Sequence, residues 1–337
     1  MLLDSLGRQV QDLRISVTDR CNFRCSYCMP WDTYQLIARN EILSFEEISR
    51  LARLFVSLGV RKIRLTGGEA LLRRHLHELV ARIAGCPGLE DLCLTTNGAL
   101  LADQAPALAA AGLRRINVSL DSVNPDTYRR ITGRDDLGRV LAGLESAARC
   151  GLAPIKINAV VVRGLNDQEI PELAGFARRR GFSLRFIEYT DAGNAHQWHS
   201  EKLVSKAEIL QRIAARYPLQ ERGRDAASAP AMTYRFADGA GEIGVIASVT
   251  EPFCSSCTRA RLTADGKLVT CLFSSSGYDL KKLLRRGAGD DELASAIGEV
   301  WGLRADRYSE ERRAALQSEQ GYQAGDRGKI EMIRLGG

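Results

Sequence analysis

Three cysteines near the start of the chain, Cys21, Cys25 and Cys28, follow one another at C-x3-C-x2-C spacing. Three thiolates this close in sequence can hold three corners of a cubane [4Fe–4S] cluster, a group ordinarily bound by four cysteines. The fourth iron then lacks a protein ligand, and an open metal position is where a metal centre carries out chemistry. A zinc knuckle is the alternative, but tetrahedral zinc suits three cysteines without a fourth ligand poorly. The spacing therefore favours a reactive iron–sulfur cluster.

A second group of three cysteines, Cys254, Cys257 and Cys271, occurs late in the chain at C-x2-C-x13-C spacing. Structural zinc is a fair rival here, because C-x2-C is a common zinc half-site. The first group favours a second [4Fe–4S] cluster, again with one open iron. A hairpin predicted to turn at Asp265 and Gly266 would bring Cys271 back beside the other two. The remaining cysteines stand at no ligand spacing and are expected to be small core residues: Cys86, Cys93 and Cys150.

Two arginines, Arg259 and Arg261, lie between the second and third of these late cysteines. In a β-strand, residues two apart point to the same side, so both guanidinium groups would face one target beside the cluster. The planar guanidinium group suits phosphate oxygens. A solvated charged strand is the ordinary explanation for such a pair, but the neighbouring open metal position favours an anion site.

The elements that must position these residues alternate between strand and helix over the first part of the chain. Six β-then-α units of this kind predict a parallel sheet. The apolar runs predict strands over residues 13–17, 62–65, 92–95, 115–120, 155–162 and 183–189. Amphipathic segments predict helices over residues 45–59, 71–84, 103–111, 137–150 and 167–180.

Most of these predicted strands end in polar or glycine-rich residues. Such residues occupy positions 18–20, 66–69, 95–98, 119–122 and 188–189. In β/α barrels the active site lies at the carboxyl ends of the strands. Six units are fewer than the eight of a closed barrel, so we expect a partial barrel that is open on one side.

The pattern changes after Asn194. We predict a helix over 205–217, a loop over 221–231, hairpin strands over 234–237 and 242–249, and helices over 280–286 and 291–301. Residues 330–335 alternate apolar and polar, as a strand would. The expected organisation is an α/β partial barrel over residues 1–203 and a smaller α+β domain over residues 204–337 that carries the second cluster.

Composition agrees with an enzyme of the cytoplasm. At 337 residues the chain can bury a barrel-sized core and a smaller domain. Its net charge of +6 is too mild to indicate nucleic acid but suits an anionic substrate. An odd count of nine cysteines argues against a secreted disulfide framework. The N-terminus has no apolar leader, and no apolar run approaches the length of a membrane span.

Several motifs occur in a defined order: residues 12–20, 66–69, 186–188, 253–261 and the final glycine pair. Together they resemble the family of GTP 3′,8-cyclases, radical S-adenosylmethionine (SAM) enzymes of molybdenum cofactor biosynthesis, nearly end to end. The resemblance implies that the open iron of the first cluster binds SAM and that reductive cleavage of SAM gives a 5′-deoxyadenosyl radical. It also implies that this radical takes the 3′ hydrogen of GTP and that the ribose radical attacks C8 of guanine. The product is then 3′,8-cyclo-7,8-dihydro-GTP, and the second cluster binds the purine.

The same resemblance assigns residues to the two ligands. Positions that contact SAM match Tyr27, Gly68, Ser119 and Thr190. Positions that contact GTP match Arg14, Arg64, Thr95, Lys156, Arg259, Ala260 and Arg261. The glycine tail, Gly336 and Gly337, is implied to reach into the active site. Without the family context, Arg14 and Arg64 would be interpreted as salt-bridge residues and Lys156 as a solvated strand residue.

Two positions depart from the family pattern. Ala70 follows the paired glycines where the family usually has proline, and it frees a backbone that proline would stiffen. Thr190 stands where a methionine packing near SAM is common, and it replaces a soft apolar contact with a hydroxyl. Neither change removes a predicted cluster ligand, so the implied reaction class is the same.

The implied partners are the GTP substrate, an electron donor such as flavodoxin, and cyclic pyranopterin monophosphate synthase as the enzyme that accepts the product. A homodimer is compatible with this picture, and no nucleic-acid or membrane partner is expected. One alternative is a radical SAM enzyme of another branch, such as a peptide maturase, which would carry more auxiliary cysteines. A zinc-dependent nucleic-acid-binding module is another, but it calls for a basic face with interleaved aromatics, and aromatics are only 6% of this chain.

Overall fold

The computed structural model describes residues 2–28, 34–193, 198–318, 322 and 328–336. Its strands form one continuous sheet of twelve. They are β1 (Asp12–Ser16), β2 (Lys62–Thr66), β3 (Asp91–Thr96), β4 (Arg115–Ser119), β5 (Ile155–Val161), β6 (Ser183–Glu188), β7 (Leu219–Gly223), β8 (Met232–Phe236), β9 (Glu242–Ile246), β10 (Arg259–Leu262), β11 (Lys267–Val269) and β12 (Tyr278–Asp279).

The strand order makes the sheet an open barrel. It runs β12-β11-β10-β1-β2-β3-β4-β5-β6-β9-β8-β7, and strands β1 to β6 are parallel neighbours in chain order. Strand β10 joins β1 in parallel, and β9 joins β6 in parallel. The end strands β12 and β7 do not pair with each other. The predicted partial barrel is therefore confirmed, with strands from the C-terminal part extending it at both edges. The division of the chain at residue 203 stays a prediction.

Eleven described helices surround this sheet; the first nine pack against its outer core, and the last two do not. They are α1 (Phe45–Ser57), α2 (Leu76–Ala84), α3 (Leu101–Ala110), α4 (Pro125–Thr132), α5 (Leu137–Arg149), α6 (Ile170–Arg180), α7 (Lys206–Ala214), α8 (Leu280–Arg285), α9 (Asp290–Gly302), α10 (Tyr308–Gln317) and α11 (Met332–Leu335). None of these described helices has both the length and the apolar character needed to cross a bilayer.

Helix α4 is absent from our prediction, although its sequence carries the usual boundary signals. The Asn124 side chain accepts hydrogen bonds from two backbone N–H groups of the first turn, and Pro125 opens the helix. Gly133 follows its last residue with φ +67°, a left-handed conformation that ends helices. The helix has only eight residues, which is too short for a clear apolar period.

Three other predicted elements differ from the structure. Strand β7 extends into the start of the stretch predicted to be a loop; it is a polar strand at the edge of the sheet, paired with β8, so it lacks an apolar pattern. Residues 332–335 form a helical turn and not a strand, because a run this short has no reliable period. Helix α2 begins at Leu76, five residues later than predicted, after a 3₁₀ turn over Ala70–Leu72.

The two faces of the parallel strands differ in polarity, and this difference creates the site. In β1, Leu13 and Ile15 are fully buried in the outer core, and Arg14 lies between them on the inner face. The register aligns Arg14 with Arg64 on one side and with Arg261 on the other. A β/α barrel usually fills its interior with branched apolar side chains. Polar inner residues therefore indicate a binding cavity.

Candidate active site

One cavity of about 330 Å³ lies on the inner face of the open barrel. All six cysteines of the two predicted groups line it. The lining also includes eight further residues predicted to bind SAM or GTP: Tyr27, Gly68, Ser119, Thr190, Arg14, Thr95, Arg259 and Arg261. The two cysteine groups, which are far apart in sequence, therefore line the same cavity.

The other predicted site residues lie around this cavity. Arg64 is the register neighbour of Arg14, and Lys156 pairs in register with Asn117 of β4 on the same inner face. The Ala260 side chain is fully buried in the outer core, on the opposite face of β10 from the two arginines that flank it. Gly336 contacts the end of β2, whereas Gly337 lies outside the described residues.

The first cysteine group lies on a loop that α4 supports. The backbone N–H groups of Arg24 and Ser26 donate to the carbonyl oxygens of Thr132 and Ile131, at 3.0 and 2.9 Å. The Phe23 ring meets the edge of Tyr128 with 6.2 Å between ring centroids. These contacts hold the cysteine loop against the barrel rim.

Tyr27 is held by Asp121, which follows β4. Its hydroxyl donates to Asp121 Oδ2 at 2.6 Å, and the other oxygen of Asp121 accepts from the backbone N–H of Val160 at 2.8 Å. Burial raises the pKa of Asp121 to about 6. Asp121 was not among our predicted site residues, although it stands in a polar stretch that ends a strand.

The three cysteines of the first group are half-buried, and desolvation is the largest influence on the pKa of each thiol. It raises the pKa of Cys21 to about 11 and of Cys28 to about 12, and it also raises the pKa of Cys25. All nine cysteines of the chain are free. Neutral thiols lose their protons when a metal supplies positive charge. The three residues therefore suit a cationic iron centre.

The second group differs because arginines stand beside it. Burial opposes ionisation of Cys257, but the guanidinium groups of Arg259 and Arg304 hold its pKa below the usual value. Arg304 also donates to the Cys257 carbonyl oxygen at 2.8 Å, and Arg8 donates to the Cys254 carbonyl oxygen at 2.8 Å.

Both of these arginines reach a buried carboxylate. Asp4 Oδ2 accepts from Arg8 Nε at 2.6 Å and from Arg304 Nη1 at 3.1 Å. The N-terminal residues thus support the second cysteine group. Sequence inspection missed this arrangement, because Asp4 and Arg304 are separated by almost the whole chain and neither stands in a motif.

The spacing of the sulfurs distinguishes a cluster from zinc. Two thiolates on one zinc ion, each at about 2.3 Å from it, stand roughly 3.8 Å apart. In neither cysteine group do all three sulfurs lie within 4.8 Å of one another; among the described residues only His75, His77 and Glu78, on the surface, meet that limit. A cubane separates its thiolates more widely, since each binds a different iron. Neither group is therefore arranged as three thiolates on one zinc ion, and a [4Fe–4S] cluster stays the prediction for both.

Six basic side chains converge on the inner face and form what we call the basic cluster: Arg14, Arg64, Lys156, Arg185, Arg259 and Arg261. Among the residues that the structure describes, none of these six forms an ion pair with a carboxylate within 4.0 Å. Burial and the nearby charges of Arg261, Arg64 and Arg259 lower the pKa of Arg14. Cations that lower one another's pKa in this way would be stabilised by a bound anion.

The members of the basic cluster do have neutral partners. Arg64 Nε donates to Cys93 Sγ at 3.3 Å, and Arg259 Nη1 donates to the Ser228 carbonyl oxygen at 3.3 Å. Burial lowers the pKa of Arg261 and of Arg185 to about 10. Arg185 was missing from our prediction. Its signal was its position in β6, two residues before Ile187 on the cavity-lining side of that strand.

Gly67 and Gly68 allow the chain after β2 to pass close to residues 18–20, which lead into the first cysteine group. A Cβ atom at Gly68 would lie 2.4 Å from the carbonyl oxygen of Arg20, and one at Gly67 would lie 2.6 Å from that of Thr18. The backbone N–H of Gly68 donates to the Thr18 oxygen at 2.8 Å. Only glycine allows this approach. The next residue but one, Ala70, is fully buried.

Gly336, in the C-terminal tail, lies against the end of β2. Gly336 has φ +67°, and a Cβ atom there would lie 2.1 Å from Thr66 Cγ2. Its carbonyl oxygen accepts a hydrogen bond from Arg261 Nη1 at 3.1 Å. Because Thr66 and Arg261 line the cavity, the tail reaches the site.

Two family models match successive parts of the chain. The model described as "Radical SAM superfamily" matches residues 15–177, and the one described as "Molybdenum Cofactor Synthesis C" matches residues 182–310. Among solved structures, Streptococcus suis SuiB bound to precursor peptide SuiA has a TM-score of 0.62 at 13% identity, covering 91% of this chain and 67% of that chain. A likeness at this identity concerns the fold alone.

Relatives of known name align over almost the whole chain. A GTP 3′,8-cyclase of Acidothermus cellulolyticus is 49% identical over 339 residues, covering 98% of this chain and 93% of that protein. One of Xanthomonas axonopodis pv. citri is 46% identical, covering 99% and 98%. One of Staphylococcus epidermidis is 42% identical, covering 100% and 99%. The chain therefore belongs to the GTP 3′,8-cyclases, radical SAM enzymes of molybdenum cofactor synthesis.

Proposed function

We propose that the basic cluster binds the triphosphate of GTP, which the enzyme cyclises to 3′,8-cyclo-7,8-dihydro-GTP. The observation that carries this proposal is the basic cluster on the inner face: three of its arginines line the cavity, the other three basic residues share that face, and none has a carboxylate partner among the described residues. Arginine matches phosphate oxygens through two parallel N–H groups. A polyphosphate would supply the negative charge that the basic cluster lacks.

We infer that Cys21, Cys25 and Cys28 hold one [4Fe–4S] cluster at the SAM side. Reduced and bound to SAM, this cluster would supply the electron that starts the reaction. Tyr27, oriented by Asp121, is then placed to contact the adenine, and Gly68 presents backbone where a side chain would not fit. Ser119 and Thr190 line the same cavity.

The second cysteine group would hold the other [4Fe–4S] cluster beside the guanine. Cys254, Cys257 and Cys271 face the same cavity as Arg259 and Arg261. Three ligands leave one iron open to a nitrogen or oxygen of the purine. With the triphosphate on the basic cluster and the purine near these cysteines, the ribose lies between the two cofactor groups.

The arginine pair of β10 gives the direct test. Changing Arg259 or Arg261 to alanine should weaken GTP binding by roughly 1.5–3 kcal/mol, the range for hydrogen bonds to charged groups, which is about a ten- to 150-fold rise in Kd. SAM binding should not change. The measurement is equilibrium binding of both ligands to the reconstituted enzyme.

Arg82→Ala is the matched control, because Arg82 pairs with Glu46 on the outer surface. It should leave both affinities at the parent values. If the β10 variants bind GTP as tightly as the parent does, the triphosphate lies elsewhere and the proposal is wrong.

Lys156 predicts how GTP binding depends on pH. Burial first, and then the charges of Arg185 and Arg115, lower the pKa of Lys156 to about 8, while Asp225 and Glu242 act to raise it. Bound triphosphate favours the charged amine. GTP affinity should therefore be constant below pH 8 and fall by about tenfold per pH unit as Lys156 loses its proton in the free enzyme.

Titration of GTP binding between pH 7 and 9.5 checks this expectation. Lys156→Arg should remove the pH dependence, because arginine stays charged throughout the range. Lys156→Met should bind weakly at every pH. A parent enzyme whose GTP affinity is the same at pH 7 and pH 9.5 would show that Lys156 does not face the phosphates.

We further propose the setting in which the enzyme works. Nine free cysteines, six of them around one cavity, suit the reducing cytoplasm. The one-electron chemistry requires a reductant such as flavodoxin, and the cyclised nucleotide would pass to cyclic pyranopterin monophosphate synthase. A homodimer and a domain division at residue 203 are compatible with this account. Sedimentation of the reconstituted enzyme tests the dimer.

A further inference from the structure

Asp191 lies between the cavity, helix α10 and the C-terminal tail. It is 3% exposed and lies between Thr190 and Ala192, both of which line the cavity, although Asp191 itself does not. Its carboxylate faces the C-terminal part of the chain. We call Asp191 and the side chains that it holds the Asp191 junction: Tyr308, Arg312, Tyr322 and Lys329.

The junction is dense in charge and hydrogen bonds. The Tyr308 hydroxyl donates to Asp191 Oδ2 at 2.5 Å, and Lys329 Nζ donates to the same oxygen at 2.7 Å. Arg312 Nη1 donates to Oδ1, and the Tyr322 hydroxyl also donates to the carboxylate. Burial acts to raise the pKa of Asp191, but Arg312 and the hydrogen bonds hold it well below the usual range. The carboxylate is therefore charged at neutral pH.

Helix α10 connects this junction to the second cysteine group. The ring of Tyr308 stacks on Phe273, two residues after Cys271, with 4.4 Å between the centroids. Glu310, in the same helix, accepts a hydrogen bond at 3.1 Å from the backbone N–H of Ser255, next to Cys254. A displacement of α10 would therefore move the backbone next to both Cys254 and Cys271.

Lys329 connects the junction to the glycine tail. The next residue, Ile330, donates its N–H to the Ser274 carbonyl oxygen at 3.0 Å, and Met332 lines the cavity. The short helix α11 then leads to Gly336, whose carbonyl oxygen accepts from Arg261. The junction thus anchors the base of the tail.

The SAM side of the cavity has anchors of its own. Glu188, fully buried at the end of β6, accepts hydrogen bonds at 2.9 Å from the backbone N–H groups of Lys206, Val249 and Thr250. These bonds hold the strand that leads to Thr190 without help from Asp191. Loss of the Asp191 charge should therefore free α10 and the tail and leave the SAM side in place.

We propose that Asp191 is a positioning residue that aligns the second cysteine group and the tail with the SAM side of the cavity, so that SAM cleavage leads to cyclisation of GTP. This inference rests on the proposed function, because it assumes that GTP lies between the two halves. A side chain that only stabilised the fold would affect SAM cleavage and cyclisation equally. Asp191 should affect their ratio.

Asp191→Asn tests the proposal, since it keeps the size of the side chain and removes the charge that pairs with Arg312 and Lys329. In the reconstituted enzyme, we expect the ratio of 5′-deoxyadenosine to cyclised nucleotide to rise at least tenfold. Hydrogen exchange of the metal-free chain should quicken in residues 308–317. Tyr308→Phe, which removes one hydroxyl, should shift the ratio in the same direction by a smaller amount and remains informative if the first variant does not fold.

Asp167→Asn is the matched control. Asp167 is also buried and pairs with Arg212 at 3.0 Å, but it does not line the cavity. This variant should lose stability with the parent ratio of products. If the parent cyclises GTP and both junction variants keep its product ratio, the role of Asp191 is wrong while the proposed function stands. If the parent itself yields no cyclised nucleotide, the proposed function fails.

Discussion

Replacing Cys25 by alanine should abolish SAM cleavage altogether. Two remaining thiolates cannot hold a cubane that already lacks one protein ligand. The variant should lose about four irons per chain, because one cubane contains four, and should form no 5′-deoxyadenosine with dithionite and SAM. Iron analysis and chromatography of the products provide the measurement.

The second cysteine group should respond differently. Replacing Cys257 by alanine should also remove about four irons, but SAM cleavage should continue without cyclisation of GTP. Cys150→Ala is the control, since Cys150 lies at the end of α5 and does not line the cavity. It should keep both activities. If Cys257→Ala cyclises GTP at the parent rate, the second group has a structural role only.

Replacing Gly336 by alanine should suppress turnover while both clusters stay intact. The new Cβ would lie 2.1 Å from Thr66 Cγ2, and φ +67° is a conformation that alanine adopts poorly. Overpacking of this kind costs about 1–3 kcal/mol, enough to displace the tail and the carbonyl oxygen that Arg261 holds. We expect the rate of cyclisation to fall about tenfold or more, measured together with the iron content.

Gly328 provides a control that separates the effect of the steric contact at Gly336 from the effect of backbone strain. Gly328 has φ +58°, and a Cβ atom there would meet nothing within 4 Å among the described residues, so Gly328→Ala carries strain without a clash. It should retain most of the activity. Equal activity of the Gly336→Ala variant and the parent would show that the tail plays no part in shaping the site.

The predictions about the chemistry of the site rest on short, local patterns. The spacing of the first cysteine group favours a cluster on ligand count, and the second group was predicted to hold one only in the light of the first. Arg259 and Arg261 share a side because they stand two apart in a strand, and the structure places Ala260 between them in the core. The partial barrel followed from six alternations and from polar residues at the strand ends.

Sequence patterns could not predict which residues distant in the chain come together in the fold. Arg185 on β6 lies close enough to Arg64 for that charge to lower its pKa, although β2 is four positions away in the curved sheet. Asp4 and Arg304 meet beneath the second cysteine group from opposite ends of the chain. Strands β9 and β10 join opposite edges of the barrel, and no local pattern specifies which edge a strand will choose.

The central claim is that GTP lies with its ribose between the two cofactor groups, close to the position where SAM is cleaved. Incubation of the anaerobically reconstituted enzyme with SAM, dithionite and GTP carrying deuterium at C3′ tests this most directly. The account predicts that mass spectrometry finds deuterium in 5′-deoxyadenosine and 3′,8-cyclo-7,8-dihydro-GTP as the nucleotide product. 5′-Deoxyadenosine without deuterium, with GTP recovered unchanged, would contradict it.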